Sequence, residues 1–468
     1  VEFLTWLHPI GESCIQSITS MESPKRLILM AGLGFMALAI PHFFHGMEET
    51  PASKMPTQHA GITLCRAPRA CVFMTLFGEE PHDGFAHYST PAEVQSSIEQ
   101  GLNWLGKAQH PSGGYGAGSH ARQGVRDPPA VNPDPATTAM VGMALLRTGT
   151  TLTSGPYRQQ LKGTLEFLIE AVESTPQNAV RITKETGTQI QTKLGSNIDA
   201  ILTAQYLANM LDYVGYSPVL EARIRKNLET CTEKIAAAQQ SDGSISGDGW
   251  AGVLQSSLAG NALESAKYQG IAVADEVLED AQSYQYSNVD AASGEVDVDR
   301  GAGIVLYSVS SGARGAARDA RSVREAVRRA KDEGQIEEEA EVSVEILQEI
   351  GFEPEEALEM NTAYQVYDRA KVTAQDDAVM NGFGNNGGEE FLSFLQTGES
   401  LIINKDETWT EWYDNVSGKL VAIQNSDGSW NGHHCITSPV FCTATTLLTL
   451  AITNDVEKLV AQGAMKLD

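Results

Sequence analysis

The sequence predicts an all-α protein assembled from repeated helical hairpins, and three observations carry that prediction. One short element recurs without gaps at 106–115, 236–245 and 421–430. An amphipathic helical pattern precedes each copy. A more uniformly apolar segment follows each copy. Self-similarity of this kind marks a repeat architecture, in which one supersecondary unit buries its apolar face only against its neighbours.

Within the element, Gln109, Gln239 and Gln424 are each followed four residues later by Gly113, Gly243 and Gly428, and then by Tyr115, Ile245 and Trp430. Ahead of the first copy, Ile98, Leu102, Leu105 and Ala108 recur at helical spacing. Glycine ends such a helix because it takes the left-handed conformation at little cost. The glutamine is placed to cap free backbone groups there, and the large side chain to pack across to the next repeat. The second helices are predicted over 135–147, 250–268 and 440–452, rich in Ala, Leu, Thr and Gly. Small side chains of that kind suit close packing in an inner layer. Weaker hairpins are predicted from 158–172 with 197–213, from 273–288 with 301–309, and within 362–396.

Two segments stand apart. Arg314, Arg318, Arg321, Arg324, Arg328 and Arg329 make 313–331 basic, whereas 333–359 is overwhelmingly acidic. Both halves favour helix, so a solvated helical insertion is predicted at about 312–360. A docking arm for a partner protein is the sharper alternative. At the other end, Lys25 and Arg26 precede an apolar run from Leu27 to Ile40, the pattern of an export signal. Continued to Phe44, it reaches the short limit of a membrane span; a buried core helix is the alternative. The expected organisation is an N-terminal signal or anchor segment (1–46), a tether (47–90), the repeat array (91–454) and a C-terminal tail (455–468). Export or anchoring in the envelope follows from the first of these.

With 33 basic against 60 acidic residues the net charge is −27. A surface so acidic repels phosphate backbones, so nucleic acid is not an expected partner. The cysteines form no CxxC pair, which argues against a zinc ribbon or a thioredoxin-type site. Nucleotide-binding glycine motifs and the Gly-x-Ser-x-Gly elbow are missing as well.

The Gln-x-x-x-Gly-x-aromatic element resembles the QW repeat of squalene and hopene cyclases, and the repeat of the prenyltransferases is similar in design. The resemblance spans about 91–454. It implies an α/α toroid, in which six hairpins close into an inner and an outer ring. It also implies where chemistry would sit. The cyclases carry an Asp-x-Asp-Asp-Thr-Ala run ahead of an inner helix, and one protonated Asp acts as the acid. The matching stretch at 132–139 keeps Asp134, Thr138 and Ala139, but Ala136 and Thr137 stand where the later acids would be. Read from its neighbours alone, Asp134 before Pro135 is a helix N-cap. Asp297 and Asp299 alternate ahead of an inner helix, and on one face of an extended segment they would suit magnesium.

The prenyltransferases hold zinc with Asp, Cys and His near such helix starts. Their last-repeat pattern would align Cys442 with the zinc histidine, but no Asp-x-Cys partner occurs in the earlier inner helices. His433, His434, Cys435 and Cys442 form the local donor set. Cys442 falls in a first helical turn, where the positive helix end lowers a thiol pKa. Against zinc, residues 436–439 separate the two cysteines and no orienting carboxylate stands nearby in sequence. No cofactor is therefore predicted. Trp250 and Phe441 are the aromatic residues at predicted inner-helix starts, and with Asp297 and Asp299 they are the candidates to line a ligand cavity. The expected function is a noncatalytic, exported scaffold that binds a partner protein or an apolar ligand. The alternatives are a divergent terpene cyclase or prenyl-transfer enzyme, and a zinc-dependent enzyme on the same fold.

Overall fold

A computed structural model describes Phe85 and residues 88–465 except Asn385. The chain divides into two units, 1–64 and 65–468, and every described residue belongs to the second. The anchor-like run and nearly all of the tether lie outside the described residues.

The first hairpin pairs α1 (Ala92–Ala108) with α2 (Pro135–Arg147). The second pairs α3 (Arg158–Glu173) with α5 (Ile198–Leu211), with the short α4 (Gln189–Leu194) between them. The third is α6 (Pro218–Ala238) with α7 (Gly252–Tyr268), and the fourth α8 (Asp275–Tyr286) with α9 (Val305–Asp332). After α10 (Val344–Glu349) the fifth joins α11 (Pro354–Gln375) to α13 (Gly388–Ile403) across the single turn of α12 (Asp377–Met380). The sixth is α14 (Trp409–Ala422) with α15 (Pro439–Leu450), and α16 (Val456–Gly463) follows it. Isolated bridges such as Gln239 with Ile245 are the only β-pairing among the described residues.

Inner and outer helices differ as their sequences require. In α2 every residue but Arg147 is buried, which is how a helix apolar all round must sit. In α1 only a stripe through Val94, Ser97, Gly101, Leu102, Leu105 and Ala108 is covered. Each of α2, α5, α7, α9, α13 and α15 packs on the next, and α15 returns to α2. The ring closes, and the fold is an α/α toroid.

The recurring element is the tie between neighbouring outer helices. Gln109 Nε2 donates to Gly113 O at 2.7 Å and to Gln160 O in α3 at 2.8 Å. Gln239 Nε2 donates to Val277 O in α8 at 2.9 Å. Gln424 Nε2 donates to Gly428 O and to Ser97 O in α1, both at 2.9 Å, so the last repeat is bonded to the first. The glycines are required on two counts. Gly243 has φ +81°, and a Cβ there would lie 1.9 Å from Asp280 O of α8. Gly113 and Gly428 meet α3 and α1 in the same way. Trp430 is fully buried, donates Nε1–H to Leu420 O at 2.7 Å and fills the space above Gly101 of α1.

Two expectations need correction. The charged stretch at 312–360 is not a solvated insertion as a whole. The first half of α9 is ring wall, with Gly312, Ala313, Gly315, Ala316 and Ala317 all buried. Arg314, Arg318 and Arg321 are buried too: Glu264 of α7 pairs with the first two, and Arg321 pairs with Glu325 one turn on in α9 and donates to Ile403 O and Val460 O. Arg318 Nη1 lies 3.2 Å from Glu264 and its Nε 2.9 Å from Asp319. Only the part from Val323 onward stands apart, on a small core of its own with Val327, Leu347 and Ala357. The C-terminal tail is likewise no tail: α16 packs on α13 and α9.

Candidate functional site

Outer helices run into inner ones at one mouth of the ring, where the inner helices begin, and α4 lies across it. A capping box at Thr188 and Gln191 starts this short helix, and Gln189, Ile190, Gln191, Lys193 and Leu194 are buried. Gln189 Oε1 accepts from Thr437 N at 2.7 Å and Ser438 N at 3.2 Å, at the start of α15. Its Nε2 donates to Ala117 O at 2.9 Å. Gln191 Nε2 donates to Asp199 of α5 at 2.7 Å. Lys193 Nζ sits 3.8 Å above the Trp250 ring, just before α7. One helical turn thus bridges the starts of α5, α7 and α15.

Beside α4 the first turn of α13 brings two adjacent buried acids. Glu390 Oε1 accepts from Tyr307 OH of α9 at 2.7 Å and from Phe383 N at 3.1 Å, and lies 3.7 Å from His434 Nε2. Glu389 Oε2 accepts from Ile436 N at 3.2 Å. Burial, then the Glu390 carboxylate, push the Glu389 pKa up to about 8, so Glu389 is a proton-bearing acid at neutral pH. Phe383 is exposed and its ring lies 4.9 Å from that of His434. Cys435 has φ +53°, a conformation that costs a non-glycine residue.

The residues singled out in the sequence are scattered over the molecule. Asp134 caps α2: Oδ1 accepts from Thr137 N at 2.8 Å, and Oδ2 from Ala117 N at 2.9 Å and Thr137 Oγ1 at 3.0 Å. Its pKa is raised by complete burial and then by Asp199, which is raised in its turn by burial. Trp250 is 64% exposed and Phe441 is fully buried against Gly388 of α13. Asp297 and Asp299 line an open groove between the α8–α9 connection and α11, where Arg300 Nε is 3.1 Å from Asp297. His433 is exposed, whereas Cys442 is buried with Sγ 3.5 Å from Ile436 O. The expected lowering of the Cys442 pKa is reversed. Burial outweighs the helix end and drives that thiol up, and it raises Cys435 to about 11. No group of three or more His, Cys, Asp or Glu among the described residues is arranged to hold a metal.

At the opposite mouth α16 covers the ring. Between it and the inner helices lies a cavity of about 60 Å³ walled by Met140, Met143, Leu202, Leu258, Leu395 and Leu448. Charged groups share this wall. Arg147 Nε is 2.6 Å from Asp455, and its Nη2 is 2.8 Å from Glu399. Lys458 of α16 reaches Asp212 at 2.7 Å and Asn209 at 3.0 Å.

No family model and no curated protein matches the chain. Among solved structures, the type II terpene cyclase MstE from Scytonema, in complex with geranylgeranyl dihydroxybenzoate, is 13% identical. That match covers 78% of this chain and 98% of the cyclase, with a TM-score of 0.42. A protein from Actinoplanes is also 13% identical, over 77% and 99%, with a TM-score of 0.39. At such values nothing about chemistry passes from either protein to this one.

Sequence reasoning missed Glu389, Glu390, Tyr307 and Lys193. One signal was available: two consecutive acids open a helix that continues Phe391-Leu392-Ser393-Phe394-Leu395, so they enter the core with it. Lys193 lies in a polar stretch and carried no signal.

Proposed function

We propose that this terpenoid-cyclase-like toroid is a binding scaffold that engages a partner protein or an apolar ligand at its rim, and that it does not cyclise polyprenyl chains. One observation carries the reading. The ring is covered at both mouths, by α4 and by α16, and the cavity beneath α16 measures about 60 Å³. Pockets for drug-sized ligands measure roughly 300–1,000 Å³. The lining adds support, since Tyr213 is the one aromatic side chain in it, and carbocations are stabilised by aromatic faces. Export or envelope anchoring through residues 27–44 belongs to the same proposal. A second reading, a divergent acid-initiated enzyme, is favoured by Glu389, a protonated carboxyl at an inner-helix start. One experiment separates the two. The purified full-length chain is incubated with squalene and with geranylgeranyl diphosphate, and products are followed by mass spectrometry. No turnover is expected; products that vanish in Glu389→Gln would replace the scaffold by the enzyme.

A further inference from the structure

The open groove between the α8–α9 connection and α11 has a volume of about 1060 Å³ and joins two chemistries. Its rim is acidic, through Asp290, Glu295, Asp297 and Asp299 on one side and Glu355 and Glu359 of α11 on the other, and no lysine or arginine lines it. Its apolar surface comes from Val289, Val296, Val298 and Leu358, the last 59% exposed. Of these acids only Asp297 has an ion-pair partner among the described residues, and that partner is fully engaged. Arg300 Nε lies 3.1 Å from Asp297, its Nη1 donates to Ser287 Oγ at 2.6 Å, and its guanidinium stands 4.7 Å above the Tyr284 ring. Partial burial, then Asp319, Glu279, Glu356 and Glu355, raise the Glu359 pKa, as carboxylates gathered without a compensating cation must. The wall facing α11 is built in advance. Val289 bridges to Val296, and Asp290 Oδ1 accepts from Ser293 N at 2.6 Å. Arg369 of α11 donates to Ala291 O and Ala292 O, both at 2.8 Å, and so ties this wall to the helix opposite.

The geometry points to a docking groove for a basic peptide segment of a partner protein, its arginine or lysine side chains on the rim acids and its aliphatic side chains over Val296, Val298 and Leu358. Charge complementarity selects this occupant. An acidic rim around an apolar strip repels an acidic peptide and leaves a purely apolar one without partners for the carboxylates. A segment that alternates cations with aliphatic residues satisfies both at once. Size agrees, because the groove exceeds the roughly 300–1,000 Å³ of small-molecule pockets. A preformed wall also lowers the ordering cost of binding. The inference goes beyond the reading of the covered ring and does not depend on it: the squalene incubation tests that reading and leaves this groove untouched.

The full-length protein is titrated into three fluorescein-labelled hexapeptides, alternating arginine with leucine, arginine with serine, and glutamate with leucine, at about 0.15 M salt. Fluorescence polarisation is the readout. The arginine–leucine peptide is expected to bind saturably, the arginine–serine peptide about tenfold more weakly, and the glutamate–leucine peptide not at all. Glu355 and Glu359 stand at the surface, so the double variant Glu355→Gln/Glu359→Gln keeps the fold and should weaken the arginine–leucine peptide by about tenfold. Leu358→Ser should weaken that peptide and leave the arginine–serine peptide unchanged. Glu337→Gln/Glu338→Gln makes the same charge change in the exposed α9–α10 connection, outside the groove, and should alter neither. Absence of saturable binding, equal affinity for the two arginine peptides, or equal loss in the two double variants, the mark of diffuse attraction to a chain of net charge −27, would each overturn the assignment. Self-association of the full-length chain that Glu355→Gln/Glu359→Gln abolishes would overturn it too, by giving the groove to a second copy.

Discussion

Trp430 illustrates how much one side chain holds here. It is fully buried, bonded to Leu420 O and seated above Gly101. Trp430→Ala should therefore lower stability by about 3–5 kcal/mol, read as a fall in the thermal midpoint. Glu389 makes a pH-dependent case. Its folded pKa of about 8 stands above the ordinary value of 4.5, so the stability it contributes is complete below pH 4.5 and is lost as pH rises through 8. Glu389→Gln should thus gain on the wild type between pH 5 and pH 9, by on the order of 2–4 kcal/mol. Equal midpoint differences at both pH values would contradict the assignment. Asp134 was legible from its neighbours as the cap it forms on α2, since Asp followed by Pro is a local signal. The environment of Glu389 was not, because it is made by Glu390, Tyr307 and Ile436, which only the closed ring brings together.

At the scale of the element, the repeat was readable because its physics is local. Gln, Gly and a large side chain act within one turn, and each glycine must both adopt positive φ and admit the next outer helix. The two demands can be separated by experiment. Gly270 has φ +77° with nothing near its Cβ position, so Gly270→Ala should cost only the conformational strain, about 1–2 kcal/mol. Gly243→Ala adds the collision with Asp280 O and should cost clearly more, measured by denaturant unfolding of both variants. The first half of α9 was misread for the opposite reason. Its arginines looked solvated because Glu264, the acid that compensates Arg314 and Arg318, comes from α7, about fifty residues earlier. Charge counted along a chain cannot reveal a partner supplied by packing. The lone turn of α4 was missed on similar grounds, its polar residues being satisfied by helices distant in sequence.

For the whole molecule, the two coverings of the ring have different standing. Removing α16 by ending the chain after Asn454 deletes Leu459, Lys458 and the Asp455 partner of Arg147. Hydrogen exchange should then rise at the C-terminal ends of α2, α5 and α13, and stay unchanged at their starts beneath α4. Uniform exchange across the inner helices would show that the ring opens as one unit instead. The closed toroid itself was legible only through the family resemblance, since no local pattern states that α15 must return to α2. The bond from Gln424 to Ser97 also fixes the timing of synthesis. Its partners are separated by 327 positions. At about 5–20 residues per second, α1 leaves the ribosome roughly 15–65 s before the helices that will cover it. Throughout that interval its apolar stripe has no native cover. A circular permutant that begins at α14 would shorten the wait without altering the ring.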